Sequence, residues 1–289
     1  MEVARDTDDE QSRLWNGQAG QAWVETQAVL DQLFLSFENL LVDAALARPR
    51  GRVLDVGCGT GSTTLALARR LGALVRCTGV DISEPMIAAA RARAGREGSP
   101  AQFLRANAQT QAFEPASFDL IVSRFGVMFF EDSVRAFANL RAAASPGAEL
   151  RCIVWRGPAE NPFMTTAERA AAPLLPPMPA RAPDAPGQFA FADSQRVRRI
   201  LEDSGWSDID IQPLDIACRL PEQDLVPYLS RLGPLGRVLP TLDQATRSRV
   251  IETVRAAFEP YVHGAEVRFD AACWLLGARN VNPLTAAPR

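Results

Sequence analysis

Five short apolar segments alternate with alanine- and arginine-rich stretches of helical spacing in the first half of the chain, and this alternation limits the fold more than any other feature. The segments are RVLDVG, VRCTGVDI, AQFLRA, FDLIVSR and ELRCIVWR, all between residues 52 and 156. Short apolar runs separated by helices are typical of a parallel sheet with crossover helices. We therefore predict an α/β protein whose core is a sheet that begins with five parallel strands.

The regions on either side of this core have a different texture. Apolar residues between Gly17 and Leu46 recur every three or four positions, which predicts one or two amphipathic helices ending before Pro49. Prolines in the segment 157–191 exclude a long helix or a central strand there. Because the same segment carries large apolar side chains, we favour a cap over an apolar site, with an interdomain linker as the alternative.

The remainder of the chain returns to the strand and helix pattern. A helix is predicted from Asp193 to Gly205 and is followed by a strand in WSDIDIQPLDIACRL. Further helices are predicted at about 222–232 and 243–258, and a last strand at about 265–277.

Composition removes several classes of chemistry. All 31 basic residues are arginine, which excludes imine chemistry on lysine and the lysine of phosphate-binding loops. His263 is the only histidine, so multi-histidine metal sites are excluded and no metal is expected. A net charge of −3 argues against nonspecific nucleic-acid binding. The five cysteines are widely spaced, the first residues are acidic, and no apolar window is long enough for a membrane span. We therefore expect a cytoplasmic protein without nucleic-acid or membrane partners.

The segment from Val53 to Gly61 carries the most specific signal. The segment predicts a strand, then a glycine-rich turn, then the start of a helix. In the turn, the glycines allow the backbone to approach a ligand closely. Asp81 follows Gly61 by twenty residues at the end of the second predicted strand, and a carboxylate there can accept hydrogen bonds from both ribose hydroxyls of a nucleoside. The alternative is a glycine turn that only reverses the chain. The dinucleotide-binding pattern G-x-G-x-x-G would require a glycine at position 62, where this chain has Ser62, so binding of a nicotinamide dinucleotide is disfavoured.

The pattern D-x-G-x-G-x-G from Asp55 to Gly61, with an acidic residue ending the next strand, resembles the class I S-adenosylmethionine-dependent methyltransferases. Within that class it resembles the enzymes of ubiquinone and menaquinone biosynthesis. The resemblance is strong over about residues 50–160, and weaker through LWNGQAGQAWVE, RLGPLGRVL and VRFDAACWLLGAR. It implies S-adenosyl-L-methionine as cofactor and a Rossmann-like, mostly parallel sheet of seven strands in the order 3-2-1-4-5-7-6. One antiparallel strand is expected at Val267–Leu276, together with helical cap insertions.

The same resemblance implies one methyltransferase domain over the whole chain. Its expected parts are an N-terminal helical cap (1–48), a cofactor-binding core (49–156), two substrate-cap insertions (157–192 and 221–262) and the segments that complete the sheet (193–220 and 263–280).

The resemblance also assigns residues to the cofactor. Asp55 and the backbone of the glycine loop are expected to hold the methionine moiety, Asp81 the ribose, and Ile82 and Met86 one side of the adenine. The family usually has an aspartate near the end of the third strand where this chain has Asn107, which keeps an acceptor oxygen without the charge. The full expected set is Asp55, Gly57, Cys58, Gly59, Gly61, Asp81, Ile82, Met86, Asn107, Ala108 and Ser123.

No residue is predicted to be a catalytic base, because methyl transfer from a sulfonium mainly requires alignment and exclusion of water. His263 is expected away from the site. The acceptor is predicted to be small and mostly apolar, and plain core packing is the alternative for the aromatic residues. Its expected lining is Trp15, Trp23, Arg124, Phe125, Met128, Trp155 and Phe163. A cofactor-binding protein without turnover is the alternative function, and a nicotinamide oxidoreductase is a weaker one.

Overall fold

The computed structural model describes residues 8–47, 51–72, 75–176 and 185–281. At its centre is one mixed sheet of eight strands in the order β3-β2-β1-β4-β5-β8-β6, with β7 paired to β8. The strands are β1 (Arg52–Val56), β2 (Arg76–Asp81), β3 (Gln102–Arg105), β4 (Phe118–Arg124), β5 (Ala144–Trp155), β6 (Ser207–Pro221), β7 (Val262–His263) and β8 (Glu266–Arg279).

The sheet confirms the predicted mostly parallel architecture and corrects the strand count. Strands β1 to β5 are parallel to one another, and β8 is antiparallel to β5, β6 and β7. The eighth strand is the two-residue β7, which turns back onto β8 through Gly264 at φ +66°. The antiparallel strand is also longer than the predicted 267–276, because its whole length pairs with β6.

Twelve α-helices surround the sheet in the described parts of the chain. They are α1 (Asp8–Asn16), α2 (Gln18–Glu25), α3 (Gln27–Leu33), α4 (Leu35–Ala47), α5 (Ser62–Leu71), α6 (Glu84–Glu97), α7 (Ser133–Ala143), α8 (Pro162–Ala171), α9 (Ser194–Asp203), α10 (Leu225–Arg231), α11 (Gly233–Val238) and α12 (Gln244–Ala257). Short 3₁₀ turns lie at 126–129, 172–174, 222–224, 239–241 and 259–261.

Two helix predictions need correction. The span from Gly17 to Leu46 forms three helices instead of one or two, since single residues at Thr26 and Phe34 separate them. Helix α1 precedes this span and is separated from α2 by Gly17. The region between β6 and β7 contains three α-helices instead of two, and the additional α11 begins with a glycine and a proline that stop α10. The breaks at Thr26 and Phe34 are marked by backbone angles and by no helix-breaking residue, whereas Gly233 and Pro234 mark the break before α11.

The core lies on both faces of the sheet. The central strands β1, β4 and β5 are buried along most of their length, with Leu54, Ile121 and Leu150 inaccessible to solvent. Burial of both faces explains why these strands read as nearly continuous apolar runs. None of the helices in the described residues combines the length and the apolar character needed to cross a bilayer.

The proline-rich segment is packed in its described parts. Asn161 is buried at the start of α8, and its side-chain amide exchanges two hydrogen bonds of 2.9 Å with the backbone of Ala272 in β8. The aromatic ring of Phe163 in α8 stacks on Phe269 with centroids 3.7 Å apart. These contacts are those of a cap fixed to the sheet and not of a solvated linker. Residues 177–184, which include several of the predicted cap prolines, lie outside the described residues.

Candidate functional site

The glycine loop follows β1 and is tied to the end of β2. The amides of Gly57 and Cys58 both donate to the carbonyl of Val80, at 2.8 and 3.1 Å, and the amide of Gly61 donates to the carbonyl of Cys58 at 3.0 Å. Helix α5 starts directly after Gly61. The strand, turn and helix predicted from the sequence are therefore present, and they meet at the carboxyl edge of the sheet, where ligands of such folds bind.

The three glycines of the loop are required for different reasons. All have positive φ, between +55° and +87°. A Cβ at Gly57 would lie 2.5 Å from the Cα of Gly126, and a Cβ at Gly61 would lie 2.8 Å from the ring of Phe103. A Cβ at Gly59 would meet no atom closer than 3.7 Å. Chain packing thus demands two of the glycines, whereas a Cβ at Gly59 would make only an ordinary van der Waals contact with the sulfur of Met86.

Asp81 faces this loop from the end of β2. Its Oδ2 accepts a hydrogen bond from the amide of Gly59 at 2.8 Å, and its Oδ1 accepts one from the amide of Ser83 at 2.9 Å. The side chain is buried, and burial raises its pKa. A carboxylate has about four acceptor sites, so Asp81 retains the capacity to accept hydrogen bonds from ribose hydroxyls.

Two further buried carboxylates flank the start of α5. Asp55 accepts a hydrogen bond of 2.6 Å from the hydroxyl of Thr64, and Glu38 of α4 accepts one from the hydroxyl of Ser62. Burial raises the pKa of Asp55 to about 6, an effect that the Thr64 hydrogen bond and the charge of Arg124 partly oppose. Three carboxylates around one glycine loop form a site that suits a cationic ligand.

The N-terminal helices are fastened to the loop that follows Asp81. The side chain of Asn16 accepts a hydrogen bond from the amide of Glu84 at 2.8 Å and donates one to the carbonyl of Ile82 at 3.2 Å. The hydroxyl of Ser83 donates to the carbonyl of Trp15 at 2.6 Å. Helices α1 and α2 are therefore held directly over the end of β2.

The other residues predicted for the cofactor line the same edge of the sheet. Met86 is buried beside Gly59, and Ile82 is partly buried. The side-chain oxygen of Asn107 accepts a hydrogen bond from the amide of Gln109 at 2.9 Å and so stabilises the turn after β3 in which Ala108 is buried.

Ser123 lies at the end of β4 and is completely buried. Its hydroxyl donates to the carbonyl of Val56 at 2.7 Å and accepts a hydrogen bond from the amide of Gly126 at 3.2 Å. In the structure Ser123 therefore joins β4 to β1 beneath the glycine loop.

The seven residues predicted to line an acceptor pocket separate into two groups. Phe125, Met128, Trp155 and Phe163 are all buried and belong to the main apolar core. Phe125 and Trp155 stack on each other with centroids 4.8 Å apart, so their packing is that of core residues, the alternative weighed from the sequence.

The other group lies nearer the surface of the same edge. It consists of Trp15, Trp23 and Arg124, which are all partly buried. The ring centroids of Trp15 and Trp23 are 6.1 Å apart, and Trp15 also packs against Phe129 at 5.0 Å. Gln18 of the same helical region reaches the carbonyl of Gly236 in α11 at 3.4 Å. The N-terminal helices and α11 thus meet above the sheet, with the two tryptophans on the N-terminal side.

Sequence reasoning missed Glu38, Asn16 and Ser83. The signal for Glu38 is a single acidic residue on the apolar, buried face of the LSFENLLVDAALA helix, which an exposed glutamate would not occupy. No comparable signal marks Asn16 or Ser83, whose role depends on a contact between segments 66 to 68 residues apart. Across the described parts of the chain, no group of three histidine, cysteine or acidic side chains is arranged to hold a metal ion.

Two surface clefts differ in their relation to this site. A cleft of about 370 Å³ lies between the start of α7 and α9 and contains none of the predicted site residues. A second cleft, of about 190 Å³, opens between α4, α5 and α6 and reaches Glu38 and Ser62. The carboxyl edge of β1 and β2 is instead covered by α1 and α2, which is why the chemistry there is identified from side chains and not from an open cavity.

Residues 53–147 match the family model for a methyltransferase domain. This match covers 95 of the 289 residues of the chain. The demethylmenaquinone methyltransferase of Thermus thermophilus is 34% identical over 130 residues, which are 45% of this chain and 58% of that protein. The aklanonic acid methyltransferase DauC of a Streptomyces species is 31% identical over 134 residues, 45% of this chain and 61% of that protein. The chain thus spans less than two thirds of the length of either relative.

Solved structures agree on the fold. The phosphoethanolamine N-methyltransferase 2 of Haemonchus contortus, solved with S-adenosyl-L-methionine, has a TM-score of 0.51 and is 18% identical, with 94% of this chain and 56% of that chain covered. Together with the domain match, these similarities confirm the predicted resemblance to class I methyltransferases and to quinone-biosynthesis members among them. The methyltransferase domain contains every residue predicted for the cofactor, whereas Trp15, Trp23, Trp155 and Phe163 lie outside it.

Proposed function

We propose that the protein is an enzyme that transfers a methyl group from S-adenosyl-L-methionine to a small, mostly apolar acceptor. The observation that carries this proposal is the pairing of Asp81 with the glycine loop, through a 2.8 Å hydrogen bond from the amide of Gly59. A buried carboxylate beside a backbone cradle fits an adenosine-type ligand, and the surrounding acids fit its positive charge.

The residues present fit this cofactor. Asp81 would hold the ribose, Met86 and Ile82 would pack against the adenine, and the glycine loop with Asp55 would lie along the methionine moiety. Asn107 retains an acceptor oxygen, although it is already engaged with the backbone of Gln109. Adenine recognition is therefore expected to depend more on backbone groups and on Met86 than on this side chain.

When bound, S-adenosyl-L-methionine supplies a methyl group on a cationic sulfur, whose charge already activates the leaving group. The protein then has to bind, orient and exclude water. Helices α1 and α2 perform the last task, because Asn16 and Ser83 hold them over the carboxyl edge of the sheet. No described side chain is assigned as a general base, and in-line displacement at a methyl group does not demand one.

The acceptor is proposed to lie under the N-terminal helices, against Trp15 and Trp23, with the buried wall of Phe125, Met128 and Trp155 behind it. Phe163 then supports the cap from the core. The name of one relative, demethylmenaquinone methyltransferase, favours a quinone-like acceptor. We further propose that the whole chain forms one methyltransferase unit in the cytoplasm, where its five buried cysteines remain thiols.

Two measurements test the function. Titration calorimetry is expected to show binding of S-adenosylhomocysteine and no binding of nicotinamide dinucleotides. Incubation with S-adenosyl-L-methionine carrying an isotopically labelled methyl group, against quinones, phenols, thiols and fatty acids, is expected to yield a labelled product by mass spectrometry. Cofactor binding without any product would favour a binding protein without turnover, and failure to bind the cofactor would refute the proposal.

A further inference from the structure

Arg124 is a partly buried arginine whose hydrogen-bonding capacity is largely unused. It is the last residue of β4, at the same edge of the sheet as the glycine loop. Its Nη1 donates one long hydrogen bond, 3.4 Å, to the carbonyl of Phe34, and its guanidinium lies 5.7 Å from the centroid of the Phe34 ring. Among the described residues, no carboxylate lies within ion-pair distance of it.

Two other shielded arginines of the protein are held by ion pairs. Arg93 pairs with Asp31 at 2.8 Å and donates to the carbonyl of Thr60 at 3.0 Å. Arg156 pairs with Glu160 and Asp215, both at 2.8 Å. A guanidinium has five donors, and removing them from water without partners is costly. Arg124 differs from Arg93 and Arg156 in lacking a carboxylate partner among the described residues, and it lies at the proposed site of methyl transfer.

The charges around Arg124 limit what it can bind. Glu38, Asp31 and Asp55 are near enough to act on it electrostatically, and the positive charge of Arg93 is also felt. A guanidinium with free donors is matched by a carboxylate, which it can bind through two parallel hydrogen bonds. The three acids would repel a simple anion. In a group that carries an ammonium beside its carboxylate, the acids would attract the ammonium and Arg124 would attract the carboxylate.

The order of the strands leads to the same ligand. Strands β2, β1 and β4 are neighbours, so Asp81, the glycine loop and Arg124 follow one another along the edge of the sheet. Two strand spacings separate the end of β2 from the end of β4, a distance of about 10 Å. A nucleoside held at Asp81 that extends across the glycine loop therefore brings its far end to Arg124.

We propose that Arg124 binds a carboxylate in this crevice, and that the carboxylate belongs to the amino-acid end of the cofactor. Glu38 and its neighbouring acids match the ammonium group of that same end. This inference rests on the proposed function, since it assumes the adenosine-type cofactor at Asp81. It gives Arg124 a role in cofactor binding in place of the acceptor-lining role expected from the sequence.

Titration calorimetry with two ligands tests the proposal. S-adenosylhomocysteine carries the amino-acid end, and 5′-methylthioadenosine lacks it. Replacing Arg124→Gln is expected to weaken binding of S-adenosylhomocysteine by about 10- to 100-fold, as for loss of a hydrogen-bonded ion pair, and to leave binding of 5′-methylthioadenosine unchanged within about twofold. Arg124→Lys keeps the charge but loses the planar guanidinium with its paired donors. Its affinity for S-adenosylhomocysteine is expected to lie between those of the parent protein and Arg124→Gln.

Arg268→Gln is the matched control, because Arg268 is exposed and pairs with Glu266 on β8. It is expected to bind both ligands as the parent protein does. Circular dichroism and thermal unfolding of every variant verify that the fold is intact. Equal losses for both ligands in Arg124→Gln would show a structural role and overturn the proposal, as would unchanged affinity for S-adenosylhomocysteine.

A third titration separates the two possible sources of the carboxylate. Benzoate is titrated into the protein saturated with S-adenosylhomocysteine. Benzoate binding that Arg124→Gln abolishes, together with unchanged affinity for S-adenosylhomocysteine, would overturn the cofactor assignment and give the carboxylate to the acceptor. Failure of the parent protein to bind either adenosine ligand would refute the proposed function itself, a result independent of Arg124.

Discussion

The glycine loop and the cap are held to the sheet by different kinds of contact. At the loop, specific atoms are joined: the amide of Gly59 donates to Asp81 at 2.8 Å, and a methyl group on Gly57 would collide with the backbone of Gly126. At the cap, aromatic faces are joined, with Phe163 stacked on Phe269 at 3.7 Å. Many apolar side chains can satisfy the second kind of contact, but few residues can satisfy the first. This difference accounts for a sequence motif at the loop and none in the cap.

The largest effect is expected from breaking the cap alone. Phe163→Ala removes a buried ring that also contacts Phe258 and Tyr261, and it should lower the free energy of unfolding by about 3–5 kcal/mol. Affinity for S-adenosylhomocysteine should stay within about threefold, because the loop contacts are untouched. Urea denaturation and calorimetry measure the two quantities. The control Leu40→Ala truncates an exposed side chain on α4 and should cost about 0.5 kcal/mol. A parallel loss of binding in Phe163→Ala would show that cap and loop act as one unit.

The converse change removes the loop contact and spares the cap. Asp81→Asn keeps the shape of the side chain but loses its charge, so affinity for S-adenosylhomocysteine should fall by about 100-fold. Its unfolding midpoint should change far less than that of Phe163→Ala. Asp119→Asn is the control, since Asp119 accepts a backbone hydrogen bond of 3.0 Å from Arg52 at the opposite edge of the sheet. Equal affinities of Asp81→Asn and the parent protein would remove the ribose assignment.

Most of the sheet was predictable from the sequence, because buried parallel strands appear in the sequence as short apolar runs between helical segments. The glycine loop and Asp81 were predictable for a related reason: few residue types can occupy positive φ or end a strand with a carboxylate facing a ligand. The two-residue β7 was not, since only its pairing with β8 defines it. The breaks at Thr26 and Phe34 were also hidden, because neither residue is a helix breaker.

The candidate site follows the same rule. Residues of the glycine motif, such as Asp55 and Gly59, were assigned to the cofactor because the motif resembles that of the methyltransferases. Residues that act through contacts distant in sequence were not: Glu38 reaches Ser62 across 24 positions, and Asn16 reaches Glu84 across 68. Aromatic residues near the motif were assigned to the acceptor, yet Phe125 and Trp155 pack on each other in the core. Composition alone does not separate a pocket wall from a core.

The pH dependence of cofactor binding tests whether the glycine loop is a site for a cationic ligand. Burial raises the pKa of Asp55 from 3.8 to about 6, so the folded protein keeps a proton that the unfolded chain has lost. Stability should therefore decrease as pH rises from about 4 to about 6. A cationic ligand favours the ionised carboxylate, so its affinity should increase by about tenfold from pH 5 to pH 7 and then level off.

Calorimetric titration of S-adenosyl-L-methionine at a series of pH values measures this effect. Asp55→Asn should make the affinity profile and the stability profile less steep between pH 4 and pH 6, and the part due to the raised pKa of Asp81 should remain. His263→Gln removes the one histidine, the residue type that most often titrates near neutral pH, and should leave both profiles unchanged. If the profile flattens in His263→Gln and persists in Asp55→Asn, the pH dependence does not come from Asp55 and this prediction is wrong.

The smallest expected effect concerns the contact between the two regions, where the N-terminal helices meet the loop after β2. Asn16→Ala removes two hydrogen bonds to that loop, so affinity for S-adenosylhomocysteine should decrease about three- to fivefold, as when one or two neutral hydrogen bonds are lost. Gln21→Ala removes only an exposed bond to Glu25 and is the control. Hydrogen exchange should show ligand-induced protection in α1 and α2 as well as in the glycine loop of the parent protein, and protection of the loop only in Asn16→Ala. If the ligand protects the loop alone in the parent protein as well, the helices cover the site without responding to it, and water exclusion at the methyl group must come from another part of the fold.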